Sequence, residues 1–206
     1  MNGYTGVGKS FLAKKIGKHL PHTTVFHSAE IRKELNLQPD PDNEKLGKYS
    51  FNLADSVFIE IVSPIIYGEM LKRSAEIIAA GDNAIMDGSF SYRKQRIPVY
   101  EYAEKLNVTL CILHVSCRSE IEIRKRLKQR KSSDNNSLDE AVMWNSYQST
   151  VKLSEPVIND TCPDGSRPCI ILYDSFTSIT DTALISEKCL SNEPIKHLLK
   201  ILRDNN

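Results

Sequence analysis

The stretch Gly3-Tyr-Thr-Gly-Val-Gly8-Lys9-Ser10 decides the fold of this chain, because it fits the pattern G-x-x-x-x-G-K-[ST]. Glycines adopt positive φ angles and carry no side chain, so successive backbone N–H groups can point inward at phosphate oxygens. A helix is expected from Gly8 onward, and its positive dipole end would add to this attraction. The pattern therefore predicts a phosphate-binding loop, whose members are Gly3, Tyr4, Thr5, Gly6, Val7, Gly8, Lys9 and Ser10.

Two side chains of this loop have separate expected tasks. Lys9 is expected to reach the β- and γ-phosphates of a nucleoside triphosphate, and the Ser10 hydroxyl is expected to bind Mg²⁺. The tetrapeptides N-K-x-D and D-x-x-G of guanine-specific GTPases do not occur in the sequence, which favours ATP. Asp87 ends an apolar segment and is the candidate second metal residue, acting through water, although aspartate at such a place also commonly forms a turn.

The segment before the loop is unusually short. A phosphate-binding loop of this kind normally follows a buried apolar strand in the middle of a parallel sheet, but only Met1 and Asn2 precede Gly3. Three explanations are open: the start codon is placed late, the strand has been lost, or another segment fills its position. We expect a late start, with five or six apolar codons upstream of Met1.

Composition narrows the classes of protein. The chain has 206 residues, of which 40% are hydrophobic and 26% charged, so one domain spanning residues 1–206 can bury a core. A net charge of +1 counts against nucleic acid as the main partner, while leaving room for a small groove that binds a strand end. No apolar run approaches the roughly 20 residues of a membrane span. Five cysteines and no signal peptide lead us to expect reduced thiols and a cytoplasmic protein.

Helical and extended patterns alternate along the chain, which predicts an α/β fold of three layers with a mostly parallel sheet. A small helical lid is expected around residues 118–150. The predicted helices are Gly8–Leu20, Ala29–Leu35, Tyr49–Ala80 with an interruption at Pro64, Ser91–Leu106, Arg118–Lys131, Ser137–Thr150 and Glu193–Arg203. The predicted strands are Thr23–His27, Ala84–Asp87, Val108–Ser116 and Cys169–Tyr173.

Several motifs follow the loop in a fixed order. They are Glu30–Leu35, Gly47–Ser50, Ala80–Phe90 with Arg93 and Arg96 after it, and Arg126–Arg130. Together with the loop they resemble the P-loop kinase family that includes zeta toxins, chloramphenicol phosphotransferase and the kinase domain of polynucleotide kinases. The resemblance covers residues 3 to about 155. It implies a P-loop NTPase fold and an ATP-dependent transfer of phosphate.

The resemblance also implies roles for arginines. Arg126 and Arg130 are four residues apart and share a helix face, and a lid arginine in such kinases clamps the transferring phosphoryl group. A solvated basic face is the alternative, because the whole helix is basic. Arg93 and Arg96 match a family arginine that helps to hold the acceptor or the second helix, with Arg96 the better candidate, and Arg32 matches one near the acceptor pocket. An exposed helix arginine is the alternative.

The most informative departure from the family lies three residues before Arg32. An aspartate commonly stands there and accepts the proton of the acceptor hydroxyl, whereas this chain has Ala29, which cannot act as a base. Glu30 is the candidate replacement. Because phosphoryl transfer needs little help from a base, transfer by positioning and charge alone is a second explanation, and loss of the activity is a third.

The expected function is an ATP- and Mg²⁺-dependent kinase that moves the γ-phosphate to a hydroxyl of a small molecule. Two alternatives stay open from the sequence. One is an ATP-binding protein without kinase activity, which Ala29 and the absent strand favour. The other is a polynucleotide 5′-hydroxyl kinase, which the basic helix permits and the near-neutral total charge disfavours.

Overall fold

The computed structural model describes residues 1–37, 58–133 and 140–204 of the protein. Its helices in these ranges are α1 (Lys9–His19), α2 (Ser28–Glu34), α3 (Ser63–Ala79), α4 (Arg93–Lys105), α5 (Glu120–Ser133), α6 (Glu140–Leu153), α7 (Glu187–Leu190) and α8 (Glu193–Arg203). Its strands are β1 (Thr23–His27), β2 (Asn83–Asp87), β3 (Cys111–Ser116), β4 (Cys169–Asp174) and β5 (Ile179–Asp181). None of the helices in these ranges is both long and apolar enough to span a membrane.

The α/β alternation predicted from the sequence is confirmed. The interruption predicted at Pro64 is present, since a π-helical turn (Phe58–Val62) precedes α3 and Pro64 lies in the first turn of α3. An N–H at this position would have no partner within the helix, so the missing N–H of proline costs nothing. The strand β5 and the short helix α7 were not predicted. The motif Gly47–Ser50 and the predicted helix start at Ser137 lie outside the described residues.

The strands form two groups, β1 with β2 and β3 with β4 and β5. β1 pairs with β2 in register from Thr23 against Asn83 to His27 against Asp87. β3 pairs with β4 in register from Cys111 against Cys169, and β5 adds an antiparallel edge to β4. The sheet is therefore mostly parallel, as predicted.

Residues 1–3 join the two groups. The backbone N–H of Asn2 donates to the carbonyl of Leu113 at 2.9 Å, and its carbonyl accepts from the N–H of Val115 at 2.8 Å, which makes a single parallel bridge to β3. On the other side, the amino group of Met1 donates to the carbonyl of Met86 in β2. Among the described residues, Met1 and Asn2 therefore lie between β2 and β3, the position expected for the central strand.

Apolar residues cover both faces of the β3–β4 pair. Leu113 and Ile171 belong to the main core, which includes buried residues of α1, α5 and α8. Their neighbours Ile112 and Ile170 belong to a separate core with Tyr100 of α4. Because successive strand residues face opposite sides of a sheet, helices cover this sheet on both sides and the architecture has three layers.

The two helices of the predicted lid, α5 and α6, pack against each other. The Arg124 guanidinium lies 3.7 Å from the ring centre of Trp144, and the Trp144 and Tyr147 rings stack at 5.0 Å. Tyr147 also meets the ring of Tyr4 edge-on at 6.1 Å. Aromatic contacts therefore join the lid helices directly to the glycine loop.

We expect His114 of β3 to make stability depend on pH. Its Nδ1 hydrogen-bonds Oδ1 of Asn2, and burial, assisted by the charges of Lys9 and Arg96, lowers its pKa from 6.5 to about 4. Between pH 6.5 and pH 4, His114 is protonated in the unfolded chain but not in the folded one. The free energy of unfolding therefore falls as the pH drops from about 7 to 4. The shift corresponds to roughly 3 kcal/mol.

The His114→Asn variant should lose this contribution, since an amide can donate to Asn2 without titrating. Urea unfolding of the parent and the variant at several values between pH 7 and pH 4 measures the difference. The exposed His197 supplies the control, and His197→Asn should keep the parent's pH dependence. If the free energy of unfolding of His114→Asn depended on pH as steeply as that of the parent, the pH dependence would not come from His114.

Candidate functional site

The glycine loop has the backbone that phosphate binding requires. Gly3, Gly6 and Gly8 have φ angles of 139°, 81° and 95°, a region that other residues rarely adopt. A Cβ atom on Gly3 would lie 2.2 Å from the carbonyl oxygen of Val115, so the loop leaves the sheet at a point where only glycine fits. Val7 points the other way and is buried in the main core, which anchors the middle of the loop.

The Lys9 side chain folds back across the loop that precedes it. Its Nζ donates to the carbonyl of Tyr4 at 2.7 Å, so the ammonium lies over the backbone between the two ends of the loop. Lys9 is also the first residue of α1, which begins after the left-handed Gly8. The positive charge and the helix N-terminus therefore act on the same small volume, which favours an anion there.

Asp87 and His27 form a buried pair beside the loop, at the carboxyl ends of β2 and β1. His27 Nδ1 lies 2.8 Å from Asp87 Oδ2, and this hydrogen bond raises the pKa of His27 against the opposing effect of burial. Burial raises the pKa of Asp87, but His27, the charge of Lys9 and the Ser10 hydroxyl outweigh it and hold the pKa below its usual range. Asp87 is therefore a carboxylate at neutral pH.

The second oxygen of Asp87 suits a metal ion. Asp87 Oδ1 is buried and makes no hydrogen bond to any described residue, while the Ser10 hydroxyl is close enough to lower the pKa of the carboxyl. No cluster of three or more histidine, cysteine or acidic side chains that could hold a metal occurs within residues 1–37, 58–133 and 140–204. One carboxylate and one hydroxyl fit Mg²⁺, which keeps several waters and binds phosphate oxygens.

The segment after Asp87 is fixed by side chains that sequence reasoning missed. The Tyr67 hydroxyl accepts from the backbone N–H of Phe90 at 3.3 Å and hydrogen-bonds Ser89 Oγ at 3.1 Å. The rings of Tyr67 and Phe90 also stack, with their centres 4.1 Å apart. Phe90 itself has a φ of 44°. Asn2 Nδ2 donates to the carbonyls of both Ser89 and Phe90 at 2.9 Å. The chain that leaves β2 is thereby held next to the start of the loop.

Arg126 of α5 lies beside the loop, with its Nη1 3.2 Å from the position that a Cβ on Gly8 would take. Its Nη1 donates to Ser175 Oγ at 2.9 Å, and Ser175 Oγ donates to the carbonyl of Val7 at 2.6 Å. Its Nε donates to Glu122 at 2.9 Å. Ser175 follows β4, and no local pattern marks it in the sequence. Arg130 lies one turn later on the same helix, and its side chain is outside the described part of the protein.

Arg96 and Arg93 contact the segment after α6. The Arg96 side chain is only 3% exposed. Its Nε and Nη2 donate to the two carboxylate oxygens of Asp160, at 2.6 and 2.9 Å. Its Nη1 donates to the Phe90 carbonyl at 2.7 Å. These contacts hold the guanidinium inside the protein, so we assign Arg96 a positioning role in place of the predicted acceptor contact. Arg93 is 45% exposed and reaches the Thr161 hydroxyl.

The remaining predicted acceptor residues lie on α2. Glu30 is exposed in the first turn of this helix, Ala29 is half-buried beside it, and Arg32 is half-buried in the last turn. Since α2 begins directly after His27, these residues follow the strand end that carries the His27–Asp87 pair. Their contact with an acceptor stays a prediction.

Comparison with known proteins agrees with this geometry. The sequence profile of a family described as AAA domain matches residues 1–153, which end at the last residue of α6. The chain belongs to the AAA domain family. The three-layer sheet and the glycine loop give this AAA domain the P-loop NTPase fold. The loop, β1 to β3, α5 and α6 lie inside the match, whereas Asp160, β4 and Ser175 lie beyond it.

Solved structures resemble this AAA domain more loosely. An unliganded sugar kinase from Janibacter sp. HTCC2649 is 14% identical, with a TM-score of 0.46 over 98% of this chain and 89% of the other. A tunicamycin resistance protein from Deinococcus radiodurans is 13% identical, with a TM-score of 0.43 over 100% and 92%. A deoxyadenosine kinase from M. mycoides is 14% identical, with a TM-score of 0.41 over 99% and 96%.

These TM-scores are below 0.5, so the fold assignment rests on the chain's own topology and on the family match. Among curated proteins, none matches the sequence of this chain. The narrower resemblance to zeta toxins, chloramphenicol phosphotransferase and polynucleotide kinases stays a prediction.

Replacing Gly3 should destroy the loop. In Gly3→Ala the new Cβ would collide with backbone at 2.2 Å, and neither β3 nor the loop can move without breaking the Asn2 bridge. We expect loss of measurable ATP binding by calorimetry and a lower free energy of unfolding. Gly68→Ala is the control, because a Cβ there meets nothing within 4 Å, and alanine should stabilise α3 by about 0.5–1 kcal/mol. Normal ATP affinity in Gly3→Ala would refute this account of the loop.

A variant of Arg96 distinguishes a positioning role from contact with an acceptor. Arg96→Met removes the two charge-assisted hydrogen bonds to the buried Asp160 carboxylate and leaves Arg93 Nε, 3.9 Å away, as its cation, which should cost about 3 kcal/mol of folding free energy. Arg93→Met removes only this longer, partly exposed contact and should cost less than about 1 kcal/mol. Urea unfolding measures both, and Arg96→Lys, which keeps the charge, should lose less than Arg96→Met. A raised KM for an acceptor with unchanged unfolding would instead favour direct contact.

Proposed function

We propose that this AAA domain is an ATP- and Mg²⁺-dependent kinase that transfers the γ-phosphate to a hydroxyl group of a small molecule. One observation supports the proposal: the charge of Lys9 acts on the ionised Asp87, and Arg126 Nη1 lies 3.2 Å from the position of a Cβ on Gly8, so the glycine loop has two cations and a carboxylate beside it. Backbone donors, two cations and a carboxylate with an unpartnered oxygen suit a metal-bound triphosphate.

On the nucleotide side, catalysis would be electrostatic. The loop N–H groups would hold the phosphates, and Lys9 would exchange its bond to the Tyr4 carbonyl for phosphate oxygens, which are stronger acceptors. Asp87 and Ser10 would hold Mg²⁺, which supplies neutralisation of the phosphate charge when bound. Arg126, and Arg130 one turn later, would stabilise the charge that spreads over the transferring phosphoryl group.

On the acceptor side, Glu30 is the proposed proton acceptor, with Arg32 and Arg93 as proposed binding residues. The exposed position of Glu30 at the start of α2 leaves its carboxylate accessible to a substrate. Positioning contributes most of the rate in phosphoryl transfer, so a base that is one residue away from the usual place can suffice. The hydroxyl proton would go to Glu30 as the bond from oxygen to phosphorus forms and ADP leaves.

Ala29 supports a second candidate, an ATP-binding protein that transfers no phosphate. Both candidates bind ATP through the same loop, so binding alone does not separate them. The fate of the γ-phosphate distinguishes the two candidates, because only a kinase transfers it to a product other than inorganic phosphate. A labelled oligonucleotide 5′ end in the same assay would indicate a polynucleotide kinase.

Incubation with γ-labelled ATP, Mg²⁺ and a metabolite extract should label a small molecule. Lys9→Ala should reduce this transfer by about a thousandfold or more, by analogy with loss of other groups that stabilise developing charge. Lys18→Ala removes an exposed lysine from the other end of α1 and should leave transfer unchanged. Chelation of Mg²⁺ should abolish the labelling in the parent.

Circular dichroism and urea unfolding provide the folding control for Lys9→Ala. Undiminished transfer by a folded Lys9→Ala variant would refute the kinase assignment. Tight ATP binding by the parent, with label released only as inorganic phosphate, would favour the second candidate.

A further inference from the structure

Two residues in the middle of the glycine loop are in contact with the lid helices. The Tyr4 ring meets the Tyr147 ring of α6 edge-on, with the ring centres 6.1 Å apart. A Cβ atom on Gly6 would lie 3.1 Å from the side chains of Ile123 and Leu127, so α5 packs directly on the backbone of the loop. Both helices therefore rest on the part of the loop that would bind phosphate.

The Tyr4 side chain is also fixed at its hydroxyl group. The hydroxyl oxygen lies 2.7 Å from Ser154 Oγ, just after the end of α6. Ser154 Oγ donates its one hydrogen to the Val151 carbonyl at 3.1 Å, so Tyr4 is the donor in the bond between the two hydroxyls. A movement of the Tyr4 backbone would therefore either displace α6 or break this hydrogen bond.

The backbone of the same residue is the acceptor for Lys9. Lys9 Nζ donates to the Tyr4 carbonyl at 2.7 Å, and a bound phosphate would take this bond away. The loop cannot respond at its ends, because Gly3 is enclosed by the backbone of β3 and Val7 is buried in the main core. Loss of the Lys9 bond therefore acts on residues 4–6, which are the residues beneath the lid helices.

A stack of side chains continues from Tyr4 through both lid helices. The Tyr147 and Trp144 rings stack with their centres 5.0 Å apart, and the Arg124 guanidinium of α5 lies 3.7 Å from the centre of the Trp144 ring. Close-packed side chains transmit displacements, because there is no free volume to absorb them. Trp144 is buried and is the only tryptophan of the chain, so tryptophan fluorescence reports on this stack alone.

We propose that Tyr4 is a positioning residue, which couples occupation of the phosphate loop to the placement of the lid helices. This role rests on the proposed function, because it requires a triphosphate at the loop. The triphosphate would bind the state in which Lys9 has left the Tyr4 carbonyl, and this difference in affinity shifts the equilibrium toward that state. Tyr4 then moves against Tyr147, and the stack carries the displacement to Trp144 and α5. Arg126 of α5 is thereby placed in response to the ligand.

Inorganic triphosphate with Mg²⁺ is the probe for the test, because it occupies the loop without a base or an acceptor. It should shift the Trp144 emission of the parent, with the same midpoint that calorimetry gives for binding. Tyr147→Leu removes the ring between Tyr4 and Trp144, so it should still give the heat of binding but lose the emission shift. Phe11→Leu is the matched control, since Phe11 is 78% exposed next to the loop, and it should keep both signals.

The hydrogen bond between the two hydroxyls provides a second test that does not alter the stack. Tyr4→Phe and Ser154→Ala each remove this bond, so each should reduce the emission shift that triphosphate causes. Because both substitutions remove the same interaction, the double variant should show the same reduced shift as either single variant. Full additivity of the two reductions would mean that the bond does not transmit the displacement. Urea unfolding confirms that each variant is folded.

The remaining outcomes separate this role from the proposed function. An emission shift that persists in Tyr147→Leu would overturn the role of Tyr4, because the stack would not be its route. Heat of binding in the parent without any change in Trp144 emission would also overturn it, while the kinase proposal would stand. Absence of heat in the parent would refute the triphosphate site and both proposals together. Since neither signal needs turnover, an emission shift with no labelled product would support the coupling and count against the kinase alone.

Discussion

The hydrogen bonds of Asn2 are the constraint on which the site depends. Its backbone bridges to β3, its side-chain amide donates to the carbonyls of Ser89 and Phe90 after β2, and its Oδ1 accepts from His114. Asn2 is therefore bonded on both sides of the gap between the two strand groups, and the glycine loop begins at the next residue. A small displacement of Asn2 would move the loop away from Asp87, which lies on the β2 side.

The residues at the two ends of the predicted lid bond to the same edge of the sheet, beside the glycine loop. Arg118, just before α5, pairs with Asp174 at the end of β4. After α6, the Ser154 hydroxyl bonds the Tyr4 hydroxyl at 2.7 Å, and the N–H of Glu155 donates to the Ser91 carbonyl. Since both ends of the predicted lid bond to residues beside the loop, Arg126 is held next to Gly8 in the protein without a ligand. In the proposed reaction, charge that is preorganised in this way would avoid reorganisation.

The α/β fold and its mostly parallel sheet could be predicted from the sequence, because they follow from local alternation of helical and extended patterns. The loop from Gly3 to Ser10 is likewise a local pattern, and Asp87 was proposed because strand ends in parallel sheets meet at one edge. The contact of Arg96 with Asp160 could not be predicted, because the two residues are 64 apart and Asp160 lies in a loop without a recognisable pattern. Ser175 was missed for the same reason. The sequence also does not show that Met1 and Asn2 bond to β2 and β3.

The charges beside the glycine loop offset one another in the protein without a ligand. Asp87 stays ionised because His27 and Lys9 offset the cost of its burial, and Lys9 in turn has a neutral carbonyl, that of Tyr4, as a temporary acceptor. A phosphate oxygen is a better acceptor for an ammonium than a peptide carbonyl, so the exchange favours binding. In the proposed complex the triphosphate would face Lys9 and Arg126, and a metal ion bound with it would lie between the phosphates and the Asp87 oxygen that has no hydrogen bond in the described residues.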